Sequence, residues 1–200
     1  MHILIIDCGS TKTPFIASML HGLGATSLTV PLPDLVAEDI KTKYDGVVIS
    51  GAPILLSQNE NAKIYTKKFV FIRQLNIPIL GICFGHQILG LVYQAEVVLC
   101  SPNRVPTLIK VHRPHDLFVG IKNLVFEQDH TECLTRDDRK IMHIASSPHC
   151  TFEAIKILSK PFFGVQFHPE TSGESGRMLF ANFLKVIEKR TEFYKKKLLF

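Results

Sequence analysis

A chain of 200 residues with 46% hydrophobic content suits one domain, residues 1–200, with its own core, and no linker or low-complexity stretch divides it. No apolar run approaches the roughly 20 residues that cross a bilayer, and residues 1–7 lack the basic region and cleavage site of a signal peptide, so a cytoplasmic protein without membrane contact is expected. The net charge of +5 gathers late, at Lys185, Lys189, Arg190, Lys195, Lys196 and Lys197, which reads as a solvated helix end; a nucleic-acid surface would need a broader basic face with interleaved aromatics.

The apolar run at residues 2–6 predicts a strand ending at Asp7-Cys8-Gly9-Ser10, and Phe15, Ile16, Met19, Leu20 and Leu23 then recur at helical spacing. Gly24 closes that helix, residues 27–30 read as a second strand, and residues 46–51 as a third that is buried on both faces. Residues 61–76 predict a helix with Tyr65, Phe69, Ile72 and Leu75 on one side, followed by a strand at 77–82 and a helix at 84–93. From about residue 96 to 128 the pattern changes to short extended pieces, 107–111 and 124–127 among them, expected to form an antiparallel extension. A strand at 162–167 and a helix at 175–187, burying Leu179, Phe180, Phe183, Leu184 and Ile187, complete the chain. This alternation predicts an α/β fold: an open, mostly parallel sheet with helices on both faces and a small antiparallel extension, binding ligands at the carboxyl ends of its strands.

Cys83 stands at such an end, inside Gly81-Ile82-Cys83-Phe84-Gly85-His86-Gln87. A cysteine behind a buried strand is ordinarily structural. Small residues at 81 and 85 instead permit a tight turn, and a helix opening there directs its positive dipole end at the sulfur, as a nucleophilic thiolate requires. A lone histidine beside proline is ordinarily a surface residue, yet Val165-Gln166-Phe167-His168-Pro169-Glu170 places a carboxylate two positions from His168. In an extended segment those two side chains share a face, so Cys83, His168 and Glu170 form a candidate nucleophile, base and orienter for covalent acyl transfer. The oxyanion of such a reaction needs N–H donors, for which Phe84 at the helix start and Ala52 in the loop Ser50-Gly51-Ala52-Pro53 are the candidates. His86, further into the helix, suits the base role less well. The five cysteines, 8, 83, 100, 133 and 150, are odd in number and at least 17 positions apart, which speaks against a disulfide framework and a zinc knuckle. His112-Arg113-Pro114-His115 has no carboxylate cluster beside it, so no metal is assigned.

Taken together, residues 6–10, 50–53, 81–87, 150–154 and 164–170 resemble the class I glutamine amidotransferases, and among them the amidotransferase domain or subunit of GMP synthase. The resemblance implies a flavodoxin-like sheet and a Cys83 that attacks the side-chain amide of L-glutamine, giving ammonia and a γ-glutamyl thioester that hydrolyses to glutamate. It also implies that Gly51 and Gln87 help hold glutamine, and that Asp129-His130-Thr131-Glu132 matches the segment whose backbone grips its amino-acid end, which nominates Thr131 and Glu132. No cofactor is implied for this chain. ATP would be used by a separate synthetase partner, since no GxxxxGKS-type phosphate loop is present. Two departures stand out. Ala52 replaces a second glycine in the oxyanion loop, which would be strained by roughly 1 kcal/mol if the loop needs positive φ there, and Gln94-Ala95 replaces paired glycines after the elbow helix. A stand-alone γ-glutamyl hydrolase and a non-catalytic, partner-binding paralogue are the alternative readings.

Overall fold

The computed structural model describes residues 1–135 and 140–197, the side chains of 39 and 194–197 excepted. Lys195, Lys196 and Lys197 of the basic cluster therefore have side chains outside the described residues. The strands are β1 (His2–Asp7), β2 (Thr26–Pro31), β3 (Gly46–Ile49), β4 (Ile79–Ile82), β5 (Val97–Asn103), β6 (Thr107–Leu108), β7 (Lys110–Val111), β8 (Val125–Phe126), β9 (His130–Leu134), β10 (Ile141–Ser146), β11 (Ala154–Ile157) and β12 (Phe162–Val165). The helices are α1 (Thr13–Gly22), α2 (Ile40–Lys43), α3 (Asn59–Phe69), α4 (Phe84–Val92) and α5 (Gly173–Lys197).

Eight strands form the main sheet in the order β2-β1-β3-β4-β12-β11-β10-β7. From β2 to β12 every neighbouring pair is parallel, and from β12 to β7 every pair is antiparallel. Period-two alternation divides the apolar residues of β1 between two cores. Ile3 and Ile5 pack with Ile16 and Leu20 of α1 and with Leu179, Phe180 and Phe183 of α5. Leu4 and Ile6 face the opposite side, with Phe69 of α3 and Ile88 and Leu89 of α4. Burying each such side chain is worth about 1.5–3 kcal/mol, which favours helices on both faces over a sheet with a wet side.

Two small ribbons, β5–β9 and β6–β8, lie apart from this sheet. The antiparallel part is larger than the sequence suggested, because β9, β10 and β11 were not legible as strands. Their short runs carry polar residues such as His143 and Lys156 and alternate weakly. The helix expected at 61–76 is α3 followed by a tighter turn at Val70–Gln74, and Phe69, Ile72 and Leu75 are buried as expected. α5 runs well beyond residue 187 into a polar stretch without apolar periodicity to mark it.

Registers fix the site. Ile82 pairs with Val165, Gly81 with Ile49, and Ile49 with Ile6, so the carboxyl ends of β12, β4, β3 and β1 stand side by side. The residues following those four strands converge on one cleft.

Candidate active site

Cys83 is the N-cap of α4 and has φ 51°, ψ −104°, a backbone state costing of order 1–3 kcal/mol for a residue with a Cβ. Neighbouring contacts hold it there. Its N–H donates to the Val165 carbonyl at 2.9 Å, and its own carbonyl accepts from the Gln87 N–H at 3.0 Å. The flanking glycines are steric requirements: a Cβ on Gly81 would strike the Gly85 carbonyl, and one on Gly85 the carbonyl of Ile49. This turn lets α4 sit directly on β3 and β4 with its open N-terminus beneath the sulfur. The Phe84 N–H, in the first turn, lacks an intrahelical acceptor, while the Phe84 ring packs away from the cleft against Tyr65.

His168 follows β12 and lies 3% exposed, with Nδ1 2.7 Å from Oε1 of Glu170, itself 4% exposed. The segment is not extended, as the sequence suggested. Pro169–Thr171 forms a 3-10 turn, because Pro169 fixes φ at a helical value and Ser172 ties the turn down. The Ser172 hydroxyl donates to the His168 carbonyl at 2.6 Å and accepts from the Glu127 N–H at 2.9 Å, and His168 N–H donates to the Glu127 carbonyl at 2.8 Å. Side-chain contact is therefore made across a turn. Burial alone would depress the His168 pKa, but hydrogen bonds and charge from Cys83 and Glu170 outweigh it and push the imidazole up to about 10. His86, in contrast, is fully buried beneath the sheet, where desolvation lowers it to about 3. It does not line the cleft.

The cleft has a volume of about 310 Å³, and Gly51, Ala52, Cys83, Gln87 and His168 line it together with the segment from Asp129 to Glu132. All the candidate side chains and loop residues are thus brought to one place, Glu170 and Phe84 from just behind its wall. Gly51 lies against His168: a Cβ there would be 3.4 Å from His168 Cε1. Ala52 does not have positive φ, so the strain expected of alanine in this loop is absent; a left-handed backbone falls instead at Gln94, with φ 75°. Gln87 donates through Nε2 to the Glu132 carbonyl at 3.2 Å and to Oε1 of Gln166 at 3.1 Å. Thr131 and Glu132 reach the cleft from β9, but the Glu132 carboxylate is engaged elsewhere, accepting from Leu56 N–H at 2.8 Å and Ser57 N–H at 2.7 Å. It fixes the loop that follows β3.

Three residues, Gln166, Lys12 and Arg104, escape the sequence reading, as do the side-chain contacts of Asp129, which is named there only for its backbone. Gln166, fully buried, directs Nε2 at Cys83 Sγ over 3.6 Å and so joins Cys83 to Gln87. At the cleft mouth Lys12 binds Asp129 at 2.6 Å and Arg104 approaches it at 3.6 Å. The Lys12 ammonium holds the Asp129 carboxyl below the usual carboxylate range. Gln166 lies inside the 164–170 motif and was legible as a polar residue ending a buried strand. Lys12, Arg104 and Asp129 lie far apart in sequence, and nothing local signalled that they meet.

A family model for the class-I glutamine amidotransferases matches residues 4–186. A glutamine-hydrolyzing GMP synthase of Chlamydia muridarum is 30% identical over 97% of this chain, which spans 38% of that protein's length. One of the subunits of a glutamine-hydrolyzing GMP synthase of Methanosarcina barkeri is 33% identical, over 80% of this chain and 81% of that one. The crystal structure of a candidate GMP synthase subunit from Thermoplasma acidophilum superposes with a TM-score of 0.86 at 28% identity, covering 98% of both chains. With an elbow cysteine, a buried histidine–carboxylate pair and a match across almost its whole length, the chain belongs to the class-I glutamine amidotransferase family.

Proposed function

We propose that this protein hydrolyses L-glutamine at Cys83 and delivers the ammonia to a separate ATP-dependent synthetase, in the manner of a GMP synthase amidotransferase subunit, within the cytoplasm. One observation carries the reading: the elbow cysteine faces a buried His168–Glu170 pair within a single cleft. The Cys83 thiolate attacks the side-chain carbonyl carbon of glutamine, and the Phe84 and Ala52 N–H groups receive the oxyanion. His168 is protonated at neutral pH and gives its proton to the departing nitrogen, so ammonia leaves and a γ-glutamyl thioester forms. His168 then removes a proton from water, hydroxide adds to the thioester, and glutamate leaves with regeneration of the Cys83 sulfur. Glu170 accepts from Nδ1 throughout, keeping Nε2 for the chemistry. The amino-acid end of glutamine carries both charges, and Asp129, Lys12 and Arg104 at the cleft mouth match them. These steps need only this chain and water; ATP belongs to the partner's reaction.

The absence of strain at Ala52 removes one of the two motives for a non-catalytic reading, the other being the irregular stretch at residues 100–123. Glutamate release from glutamine, with and without the synthetase, is the direct test. Cys83→Ala is expected to lower turnover by about 10³-fold or more, and a glutamine-like electrophile should label wild type at Cys83 and be displaced by glutamine. Equal turnover by wild type and variant would overturn the proposal.

A further inference from the structure

The fold gathers sulfur where the sequence spacing suggested none. Cys100 lies on β5, and His130 and Cys133 on β9, its antiparallel partner. Leu99 pairs with Glu132 and Asn103 with His130, so the strand segment containing Cys100 is bulged relative to β9. Cys100 Sγ stands 3.0 Å from Cys133 Sγ, and His130 Nδ1 stands 3.7 Å from the first sulfur and 3.8 Å from the second. All three donor atoms lie within 4.8 Å of one another. Cys150, just after β10, bears on Cys133 and brings a further thiol to the group. None of these cysteines is in a disulfide. His130 and Cys133 are buried, whereas Cys100 is half-buried and gives access from solvent.

We propose that Cys100, His130 and Cys133 form a binding site for a zinc ion, clamping the β5–β9 ribbon. Thiolates at about 2.3 Å and an imidazole at about 2.0 Å from a tetrahedral zinc stand roughly 3.5–3.8 Å apart. The two sulfur–nitrogen separations come within about 0.3 Å of that spacing, whereas on binding the two sulfurs part by about 0.8 Å through side-chain rotation and His130 Nδ1 exchanges its 3.1 Å contact with the Glu132 carbonyl for the metal. Two thiolates and an imidazole favour zinc over calcium or magnesium, which take oxygen donors. The site adjoins the glutamine cleft and shares its strand. His130 itself lines the cleft with Asp129 and Thr131, and the Asp129 carbonyl is 3.8 Å from Cys83 Sγ. A metal here fixes the strand on which the substrate's amino-acid end is expected to rest. The site stands independently of the proposed glutaminase activity.

The test is metal analysis of the intact protein purified without chelator, followed by cobalt(II) titration of the metal-stripped, fully reduced chain. About one zinc per chain is expected, and cobalt should give thiolate-to-metal charge-transfer absorption together with tetrahedral visible bands. Cys133→Ser and, separately, Cys100→Ser should bind zinc about 100-fold more weakly or worse, whereas Cys8→Ser should bind as wild type does. Cys100, being half-buried, keeps the test available should Cys133→Ser fail to fold. No cobalt spectrum with reduced wild type, unchanged zinc affinity in Cys100→Ser, or a Cys100–Cys133 disulfide in anaerobically purified protein would each overturn the proposal.

Discussion

Glu170 makes its contact through one carboxylate oxygen, 2.7 Å from His168 Nδ1, and that bond orients the ring and, after Cys83, helps raise its pKa. Glu170→Gln keeps the shape and removes the charge. We expect kcat for glutamine to fall by about 10²-fold or more with little change in KM, because the amide orients the ring but no longer stabilises the imidazolium. The alkaline limb of the kcat/KM profile should also move to lower pH. The sign follows from Glu170 being one of the groups that raise His168: without its charge the imidazole loses its proton sooner as pH rises. A variant with an unshifted alkaline limb would show that the proton belongs to another group. Ala52, a departure from the family pattern in sequence, is unremarkable in conformation.

Gln94 shows how an element can carry a cost outside the site. Helix α4 ends with Ala95 N–H donating to the Gly90 carbonyl at 2.9 Å and Gln94 N–H to the Leu91 carbonyl at 3.1 Å, the paired bonds of a Schellman ending. That ending puts Gln94 at φ 75°, where glycine is favoured and a side chain costs of order 1 kcal/mol. Gln94→Gly should therefore stabilise the fold by about 1 kcal/mol in urea unfolding, less a small loss from the exposed Lys140–Gln94 hydrogen bond, and leave glutamine turnover unchanged. Destabilisation would mean that this hydrogen bond outweighs the backbone strain. At the other end of α4, Gly85 has the opposite character: its normal φ is compatible with a side chain, but the carbonyl of Ile49 leaves no room for one.

Across the whole molecule, two buried histidines pull stability in opposite directions with pH. His86 has its folded pKa lowered to about 3 by burial, which outweighs the opposing effect of the Gly164 and Phe152 backbone. Its contribution is present above the unfolded value near 6.5 and is lost as pH falls, because only the unfolded chain then takes up the proton, with a slope of up to about 1.4 kcal/mol per pH unit. His168 is raised to about 10, so its contribution is full below about 6.5 and is lost as pH rises towards 10. Urea midpoints should accordingly peak near pH 6.5, and the alkaline decline should flatten in Glu170→Gln. A wild-type midpoint that rises steadily from pH 6.5 to 10 would contradict the assignment of His168.

How much of this was legible in the chain depended on how local the cause was. The parallel half of the sheet, its flanking helices and the elbow at Cys83 follow from apolar periodicity and from glycines placed beside one cysteine, all within short windows. The pairing of His168 with Glu170 was readable too, although the turn that makes it was not, since proline permits either geometry. Only the tertiary structure decided what depends on residues far apart in sequence: the antiparallel strands β10 and β11, the Lys12–Asp129–Arg104 set, the carboxylate of Glu132 holding the loop after β3, and the meeting of Cys100, His130 and Cys133. Local periodicity reports which face of an element is buried, whereas strand register decides which distant side chains share a site, and register is set by the packing of the whole sheet.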